Sequence, residues 1–434
     1  MFKGARVLDP TSGTDAVLDV LVNGDRIEQV GANIASKGAE VIDVAGAVLS
    51  PGFVDMHVHL REPGREDEET VATGTAGAAL GGFTAVCAMP NTDPVCDSAA
   101  VAEMVAAQGR LFGLAHVVPA GSLTKGLEGK FLSPIGEMVH SSAAVRVFTD
   151  DGKGVQDARL LRRAMEYIKG FDAICAEHCE DASLAEGGQM NEGEISDLLG
   201  LKGIPSEAEE VALARDLALA KLTGVRFHAL HISTAGCAEL IRRAKAEGVR
   251  VTAEVTPHHL TLVDSELMTY DTNFKVNPPL RSAADVEALR VALADGTIDA
   301  IATDHAPHSP EEKESEFESA PPGMLGLETA LGVCITGLVE PGVLTLLDLI
   351  RVMSTSPARI LGLDRHGGPI VAGAPANLVV FDPAKRWTVD AFAMASPSHN
   401  SPWEGKPLRG KVLHTLFEGR LVVRDGSVLS SVHS

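Results

Sequence analysis

Two histidines stand one residue apart near the start of the chain, in the stretch FVDMHVHLREPG at residues 53–64. In a β-strand, alternate residues point to the same face, so His57 and His59 would project together. Met56 and Val58 would face the other way. Two converging imidazoles at a strand end are a suitable start for a zinc site. The pair is equally well explained as two polar residues at a strand exit, so the prediction depends on partners elsewhere.

Further polar residues that can bind a metal follow other apolar runs of the sequence. In each run, strand alternation selects one residue whose companions on the same face are apolar and often small, as in a barrel interior. The selected residues are Asp151, His178, His231 and Asp304. His228 has the opposite parity and is predicted to pack against surrounding helices. Nitrogen and oxygen donors of this kind suit zinc or a similar divalent ion.

Eight apolar runs that alternate with alanine-rich amphipathic segments predict the elements that position these side chains. The predicted strands are 52–59, 83–89, 114–118, 144–149, 172–177, 226–231, 250–255 and 298–303, with helices between them, for example over 157–170 and 206–224. Eight strands each followed by a helix predict an α/β fold, a (β/α)8 TIM-like barrel whose active site lies at the C-terminal strand ends.

Short β-type runs separated by Gly, Asn and Asp turns occupy both ends of the chain. Because both ends share this pattern of short runs and turns, they are predicted to pair into one small composite domain, a β-sandwich of residues 1–50 and 367–434. The metal-dependent barrel would then comprise residues 51–366.

The composition sets limits on partners and location. Of the 434 residues, 45% are hydrophobic, 22% charged and only 4% aromatic, which fits parallel strands covered by alanine-rich helices. The net charge of −22 disfavours nucleic acid or an anionic membrane as partner, because both need a basic surface. Cysteine spacing shows no disulfide framework, and neither a signal peptide nor a membrane-spanning run is recognisable. A cytoplasmic enzyme or binding protein is therefore predicted.

The chain resembles the amidohydrolase superfamily and, within it, the dihydroorotases of the long bacterial type. The stretches that carry the resemblance are GFVDMHVHLREPG, AMPNTDP, FTDDGKGV, EHCED, GQMNEGEISDLLGLKGIPSEAE, LHISTAG, EVTPHHL, KVNPPLR, IATDHAPH, PPGMLGLE and SPWEGKPLRGKV. They cover nearly the whole chain in order, and the long MNEG…LGLKGIP segment is more specific than the metal ligands alone. The family fold is a distorted (β/α)8 barrel with a small β domain from both termini, which agrees with the pattern above.

The resemblance implies the ligands of one or two zinc ions per chain. They are His57, His59, His178, His231 and Asp304, with Asp151 as the bridging ligand when two metals are bound. Related amidohydrolases use a carboxylated lysine as the bridge, and Lys153 lies close to that position. Because Lys153 follows Gly152 beyond the strand, and FTDDG matches the aspartate-bridged dihydroorotases, Asp151 is favoured and Lys153 is predicted to be a solvated loop residue. Asp150 has the opposite parity and is the weaker candidate.

The resemblance also implies a set of substrate contacts. They are His59, Arg61, Asn91, Asn277, His308, Pro322 and Gly323. Arg61 would bind the carboxylate of dihydroorotate or N-carbamoyl-L-aspartate through its guanidinium fork, together with Asn91 and His308. Backbone groups around Pro322 and Gly323 would contact the ring amide. For the two asparagines, turn formation beside proline is the alternative role.

The reaction that the resemblance implies is the reversible hydrolysis of a cyclic amide, a step of de novo pyrimidine (UMP) biosynthesis. Zinc would lower the pKa of a water molecule and polarise the ring carbonyl. Asp304 would be the catalytic residue, carrying a proton between that water and the leaving nitrogen. Asp55, on the strand of His57, is a candidate for orienting a ligand, with packing inside the barrel as the alternative.

Two other functions stay open. A hydantoinase or allantoinase would share the metal barrel but act on other cyclic ureides, and Arg61 directly after HVHL, with VNPPLR and DHAPH, favours a carboxylated ring instead. A non-catalytic dihydroorotase-like assembly partner would lack metal ligands, and none is missing here. A homodimer and an association with an aspartate carbamoyltransferase are left open by the sequence.

Overall fold

The computed structural model describes residues 1–429, so residues 430–434 of the predicted terminal domain lie outside the described part. The described residues form nineteen β-strands: β1 (Phe2–Asp9), β2 (Thr14–Asn23), β3 (Arg26–Gly31), β4 (Ile42–Asp43), β5 (Val48–Pro51), β6 (Phe53–Val58), β7 (Phe83–Ala88), β8 (His116–Pro119), β9 (Val147–Phe148), β10 (Ile174–Glu177), β11 (Met190–Asn191), β12 (Gly203–Ile204), β13 (Arg226–Ala229), β14 (Val251–Val255), β15 (Ala300–Ile301), β16 (Leu378–Thr388), β17 (Pro407–Phe417), β18 (Arg420–Arg424) and β19 (Ser427–Val428).

Thirteen α-helices occur in the same described range, most of them between the strands of the middle region. They are α1 (Val71–Leu80), α2 (Ala99–Phe112), α3 (Ile135–His140), α4 (Ala158–Lys169), α5 (Ala182–Ala185), α6 (Glu194–Leu199), α7 (Ser206–Thr223), α8 (Ala235–Ala246), α9 (Ala283–Ala294), α10 (Pro310–Lys313), α11 (Ala330–Cys334), α12 (Leu346–Ile350) and α13 (Ser356–Leu361). The fold is therefore α/β, as predicted.

Eight parallel strands in two sheets carry the middle of the chain. One sheet has the order β6–β7–β8, and the other has the order β9–β10–β13–β14–β15. Isolated parallel bridges join the two sheets on both sides, between Gly121 and Phe148 and between Val58 and His305. All eight predicted strands are present within a few residues of their predicted bounds, and their parallel direction brings their carboxyl ends to one edge.

The helices α4 and α7 occupy the two segments given above as predicted helices. Asp157 caps α4 by accepting hydrogen bonds from the backbone N–H groups of Arg159 and Leu160. The apolar side chains of α4 recur every three to four residues and are buried. Helix α7 ends at Gly224, whose φ of 71° is a conformation that glycine adopts at little cost.

A cluster of mostly small apolar side chains lies on the side of the parallel strands away from the covering helices. Val147, Ala176 and Ala302 belong to it, together with Ile360 and Leu361 of α13. Ala176 with Ile174, and Ala302 with Ala300, are the same-face companions predicted in the runs that end at His178 and Asp304, so the alternation predicted for those two runs is confirmed. In the run that ends at Asp151 the prediction is wrong for Val145, which lies in the large apolar cluster and not with Val147.

The predicted alternation departs from the structure at β13, where the residues alternate with the opposite parity. The neighbours of His228 in this strand belong to the large apolar cluster that contains the helix side chains. The imidazole of His228 instead bonds to Thr252 and Glu254 of β14. The prediction that His228 packs against the helices is therefore wrong. Strand β13 ends at Ala229 and His231 has a φ of 26°, so the chain has left the strand before it reaches the candidate ligand.

A second departure from alternation occurs in β6. The prediction that Met56 and Val58 share a face is wrong, because they lie in different apolar clusters. The register of β6 against β7 shifts between Asp55 and Val58, which breaks the strict period of two. The rings of His57 and His59 nevertheless lie together, with centroids 5.4 Å apart.

The strands at the two ends of the chain form one nine-stranded sheet. Its order is β19–β18–β17–β16–β5–β1–β2–β3, and β4 pairs with β1. Strand β5 joins the two ends because it pairs in parallel with β1 and antiparallel with β16. This sheet has an apolar cluster of its own, which includes Val7, Leu49, Val380 and Leu416. The predicted pairing of N-terminal and C-terminal strands is confirmed.

The six cysteines are all buried, and none forms a disulfide. Burial raises the pKa of the Cys175 and Cys179 thiols, so neither is an available thiolate. Over residues 1–429, no helix reaches the combination of length and hydropathy that crossing a bilayer requires.

Candidate metal centre and substrate pocket

Six side chains meet at the carboxyl ends of five parallel strands. They are His57, His59, Asp151, His178, His231 and Asp304, and each exposes 6% or less of its surface. The structure brings together all six residues that the sequence predicts as metal ligands. Left-handed backbone at His231 and Asp304 (φ 26° and 47°) turns these side chains toward the others. Such conformations cost of order 1–3 kcal/mol each and are concentrated at functional sites.

The carboxylate of Asp151 lies at the centre of this group. Its Oδ1 is 3.4 Å from His57 Nε2, 3.4 Å from His231 Nε2 and 4.0 Å from His178 Nδ1. Its Oδ2 is 3.5 Å from His59 Nε2. Histidine nitrogens therefore approach both oxygens of one carboxylate, which is the arrangement that a bridging ligand needs.

Asp304 joins the group from the side of the two β6 histidines. Its Oδ1 lies 3.1 Å from His59 Nε2 and 3.5 Å from His57 Nε2. The same side chain lines the neighbouring cavity, so it faces both the histidines and the space open to a substrate.

The donor atoms of the cluster fit a metal ion. The donors of His57, His59 and Asp151 lie within 4.8 Å of one another, and so do those of Asp151, His178 and His231. His57 Nε2 and Asp151 Oδ1 are buried and have no hydrogen-bond partner in the described part of the chain. An unsatisfied buried polar atom costs about 1–3 kcal/mol, and a cation shared by these donors removes that cost.

The electrostatics of the cluster favour ionised carboxylates. Burial by itself would raise the pKa of Asp151 and Asp304, but His57 and the other imidazoles outweigh it, so both pKa values lie well below the usual range. Burial likewise opposes a charge on His57, yet Asp151 and Asp304 raise its pKa. A metal cation would take the place of the protons held between these partners.

Hydrogen bonds behind two of the imidazoles set which ring nitrogen faces the cluster. His57 Nδ1 lies 2.8 Å from Glu254 Oε1, and His59 Nδ1 lies 2.8 Å from Asn91 Oδ1. Each acceptor holds a proton on Nδ1 and leaves Nε2 free as a metal donor. The other oxygen of Glu254 is 3.1 Å from His228 Nε2, so His228 supports His57 indirectly.

Sequence reasoning missed Glu254 and named Asp55 as a candidate for orienting a ligand, with packing inside the barrel as the equal alternative. Asp55 Oδ1 accepts the backbone N–H groups of His57 and Thr303, at 3.1 Å each, and does not contact the imidazole ring. The signal that could have identified Glu254 is an acidic residue between two apolar ones in a predicted buried strand.

The two alternative bridging residues lie away from the cluster. The carboxylate of Asp150 accepts hydrogen bonds from the backbone N–H and the hydroxyl of Thr124. Lys153 is exposed on the loop after β9, as predicted for a solvated residue.

A cavity of about 220 Å³ opens above the cluster. It is lined by His59, Arg61, Asn91, Asp151, Gly152, His178, His231, Val276, Asn277, Asp304, Ala306, His308, Pro321, Pro322 and Gly323. Every residue predicted as a substrate contact lines this one cavity. Of the predicted metal ligands, His57 alone is not part of the lining.

One end of the cavity, which we call the cationic end, holds the Arg61 guanidinium beside His308, whose pKa is lowered to about 3 by burial and by Arg61. The side chain of Arg61 is 11% exposed, and its backbone has a φ of 58°. Its Nη2 lies 3.3 Å from His308 Nε2, and its Nε donates to the carbonyl of Pro307 at 3.0 Å. Glu68, which is 1% exposed, lies 3.1 Å from Arg61 Nε and 3.0 Å from His308 Nδ1. Sequence reasoning missed Glu68, because it is one of four consecutive acidic residues and nothing in the pattern singles it out.

Asn277 presents an acceptor on another side of the cavity. Its Nδ2 donates to Glu180 Oε2 at 3.1 Å, which fixes the orientation of the amide. Its Oδ1 is buried and has no hydrogen-bond partner among residues 1–429. That oxygen can therefore accept a hydrogen bond from an N–H group of a ligand.

The segment Pro321–Gly323 lies directly against His308. The Nε2 atom of His308 is 3.0 Å from the carbonyl oxygen of Pro322. A Cβ added at Gly323 would lie 2.8 Å from His308 Nε2, and the φ of Gly323 is 148°. Only glycine fits this position without displacing His308.

Comparisons with known proteins agree with the resemblance seen in the sequence. The family profile described as Dihydro-orotase-like matches residues 46–236, and the profile described as Amidohydrolase family matches residues 206–423. A protein named dihydroorotase from Streptomyces coelicolor is 50% identical over 428 residues, which cover 99% of each chain. One of the same name from Pelotomaculum thermopropionicum is 50% identical over 425 residues, or 98% of each chain.

A solved structure shares the whole architecture at lower identity. The L-hydantoinase (dihydropyrimidinase) from Arthrobacter aurescens superposes with a TM-score of 0.87 at 26% identity, over 99% of this chain and 96% of that one. Full-length matches of this kind leave no large segment of the chain without a counterpart. The chain belongs to the dihydroorotase family of the amidohydrolases.

Proposed function

We propose that the protein is a dihydroorotase, a metal-dependent cyclic amidohydrolase that interconverts L-dihydroorotate and N-carbamoyl-L-aspartate in de novo pyrimidine biosynthesis. The observation that carries the proposal is the pairing, in one cavity, of a histidine–aspartate metal cluster with the Arg61–His308 cationic end. Relatives about 50% identical over nearly the whole chain and named dihydroorotase support it.

We assign zinc, one or two ions per chain, to the cluster described above. The ligands would be His57, His59, His178, His231 and Asp304, and Asp151 would bridge when two ions are bound. Bound zinc activates water at neutral pH and polarises a carbonyl oxygen. The protein's contribution is to fix the donors in place, which Glu254 and Asn91 do for the two β6 histidines.

The cationic end of the cavity would bind and orient the substrate carboxylate. Arg61 supplies a guanidinium fork, and Asn91 and His308 flank it in the cavity lining. A local cation is necessary, because the substrate is an anion and the chain carries a net charge of −22. On the opposite side, Asn277 Oδ1 would accept from a ring N–H, and the backbone at Pro322 and Gly323 would contact the ring amide.

Asp304 would move the proton. Its carboxylate is ionised in the cluster and faces the cavity, so it can accept a proton from the attacking water. In hydrolysis it delivers that proton to the ring nitrogen as the C–N bond breaks. In ring closure it removes a proton from the carbamoyl nitrogen, which attacks the carboxyl carbon; as the C–O bond breaks, Asp304 returns the proton to the departing oxygen, and one water is released.

We further infer that the eight parallel strands close into a (β/α)8 barrel over residues 51–366. The isolated bridges on both sides of the two parallel sheets support closure. Residues 1–50 and 367–434 would form the small β-sandwich domain, of which residues 430–434 lie outside the described part. Its separate apolar cluster supports this division. Homodimerisation, an association with an aspartate carbamoyltransferase and a cytoplasmic location stay predictions from the sequence.

The proposal is tested by assaying the purified protein on L-dihydroorotate, hydantoin and allantoin, together with metal analysis of the same sample. We expect one to two divalent ions per chain, mainly zinc, and turnover of dihydroorotate in preference to the other two rings. Preferred turnover of hydantoin would contradict the proposal and favour the activity named for the solved Arthrobacter structure.

The Arg61→Met variant is expected to lose more than tenfold in kcat/KM for dihydroorotate, mainly through KM. Removing one partner of a buried charge-assisted contact costs on the order of 2–5 kcal/mol. Metal content should stay near wild type, while the melting temperature should fall, because Glu68 loses a buried partner that lies 3.1 Å away. Steady-state kinetics, metal analysis and thermal unfolding check the three expectations.

Arg65→Met is the matched control for this prediction. Arg65 also pairs with Glu68, at 3.0 Å, but its side chain is 44% exposed and does not line the cavity. Its kinetics should stay near wild type. If Arg61→Met leaves KM unchanged or unfolds the protein, Arg61 is a structural ion-pair residue and the carboxylate is bound elsewhere.

A further inference from the structure

Lys313, the last residue of α10, has an unusual environment for a lysine. Its side chain is buried, with a residue exposure of 6%, and its Nζ donates to the carbonyl oxygens of Pro321 at 2.9 Å and Gly323 at 3.1 Å. Among the described residues no carboxylate forms a salt bridge with it. A buried ammonium group is costly unless it is paired, so these two carbonyl contacts carry its compensation. Burial, followed by the proximity of Lys275, lowers its pKa to about 7.

Asn400 reaches the same backbone from the C-terminal part of the chain. Its side chain is 2% exposed, and its Nδ2 donates to the carbonyl oxygens of Ala306 at 2.9 Å and Gly323 at 3.1 Å. Its Oδ1 accepts the backbone N–H of His308 at 3.2 Å. Asn400 therefore connects segments 306–308 and 321–323 by hydrogen bonds, and both segments contribute to the cavity lining.

The two side chains converge on one atom, the carbonyl oxygen of Gly323. A carbonyl oxygen has two lone pairs, and Lys313 and Asn400 occupy both of them. The N–H of Gly323 donates to the carbonyl of Lys275 at 2.9 Å, so both polar groups of this residue are held by the protein. The close fit of Gly323 against His308 leaves no room for a Cβ, and a small displacement of either would move the other.

We propose that Lys313 and Asn400 are positioning residues for substrate binding. By fixing the carbonyl of Gly323, they hold the segment 321–323 in its position against His308. The proposal rests on the function proposed above. Neither side chain lines the cavity, so neither touches the substrate directly. Because both polar groups of Gly323 are held, their effect passes through the neighbouring carbonyl of Pro322, which would contact the ring amide, and through His308, which would contact the carboxylate.

The proposal is tested with Lys313→Met and Asn400→Ala in the full-length, zinc-loaded protein. Misplacing binding groups by a fraction of an ångström to one ångström raises KM strongly, so we expect a rise of at least about tenfold for dihydroorotate with a smaller change in kcat. Metal content should equal that of wild type. Because both residues act on one carbonyl, the double variant should raise KM by less than the product of the single effects.

Lys153→Met is the matched control. Lys153 is exposed beside the cavity residue Gly152 and carries the same charge, so its loss tests whether a lysine charge near the cavity explains the effect. We expect its KM to stay within twofold of wild type. A KM rise in Lys153→Met equal to that in Lys313→Met would overturn the positioning role in favour of general electrostatic attraction.

Amide hydrogen exchange of residues 317–327 gives a readout that does not depend on activity. The amides of Gly323 and Leu325 are held by backbone carbonyls, of Lys275 and Asn400. Their exchange should accelerate in both variants and remain unchanged in the control. Unchanged exchange together with a KM within twofold of wild type in both variants would overturn the proposal. If the wild type does not turn over dihydroorotate, the proposed function fails, while the exchange rates still decide the positioning role.

Discussion

Asp304→Asn is expected to lower kcat by at least about 10²-fold in both directions of the reaction, while the protein keeps most of its metal and still binds substrate. Asparagine preserves the size of the side chain and one oxygen able to coordinate, but it cannot accept a proton. The nitrogen donors of His57, His59, His178 and His231 remain in place around Asp151. Parallel measurement of kcat, KM and metal stoichiometry checks the three parts of this expectation.

Asp150→Asn provides the matched control. This aspartate is equally buried and lies near the end of β9, but its carboxylate accepts bonds from Thr124 and does not reach the cluster. Its kcat should fall less than tenfold. An Asp304→Asn protein that retained zinc and most of its kcat would show that Asp304 is a ligand only, and the proton would have to move through another group.

The pH dependence of the wild type gives a second view of the same step. Hydrolysis needs a group that has lost its proton, so its rate should rise with pH through the apparent pKa. Ring closure needs the protonated group, so its rate should fall with pH through the same value. That apparent pKa belongs to the coupled metal–water and Asp304 system and not to the aspartate alone.

The features of the site that follow from strand geometry could be predicted from the sequence. Parallel strands bring their carboxyl ends to one edge, so Asp151, His178 and Asp304, each after an apolar run, had to lie near one another. The same reasoning failed at His228, because it assumed that alternation continues to the ligand. In β13 the strand stops at Ala229, and the inner face belongs to the other parity.

The supporting contacts could not be predicted, because they join segments that are distant in the sequence. Glu68 meets His308 across 240 residues, and Asn400 meets Gly323 across 77. Neither pairing leaves a periodic trace in the sequence, since both depend on how irregular loops pack above the strand ends. The positive φ of Arg61 could not be predicted from the sequence either, because nothing in the neighbouring residues requires a left-handed backbone there.

His178→Ala is expected to lose metal and activity together. The Nδ1 atom of His178 faces the cluster, 3.1 Å from His231 Nε2 and 4.0 Å from Asp151 Oδ1. Its removal leaves His231 as the remaining imidazole on that side of Asp151, so the ion loses one of its nitrogen donors. Metal bound per chain and turnover of dihydroorotate should both fall, and added zinc should restore little of either at micromolar concentration.

A buried histidine far from the cluster separates this effect from a general loss of stability. His366 is 6% exposed and bonds to Thr84, so His366→Ala should lower the melting temperature but keep metal and turnover near wild type. For His178→Ala, the melting temperature should lose its dependence on added zinc, because a ligand stabilises a protein only in proportion to its binding.

Full activity in metal-free protein would contradict metal catalysis altogether. Full metal content with lost activity would place His178 among the substrate contacts, because the cavity lining would then be its only remaining link to the reaction.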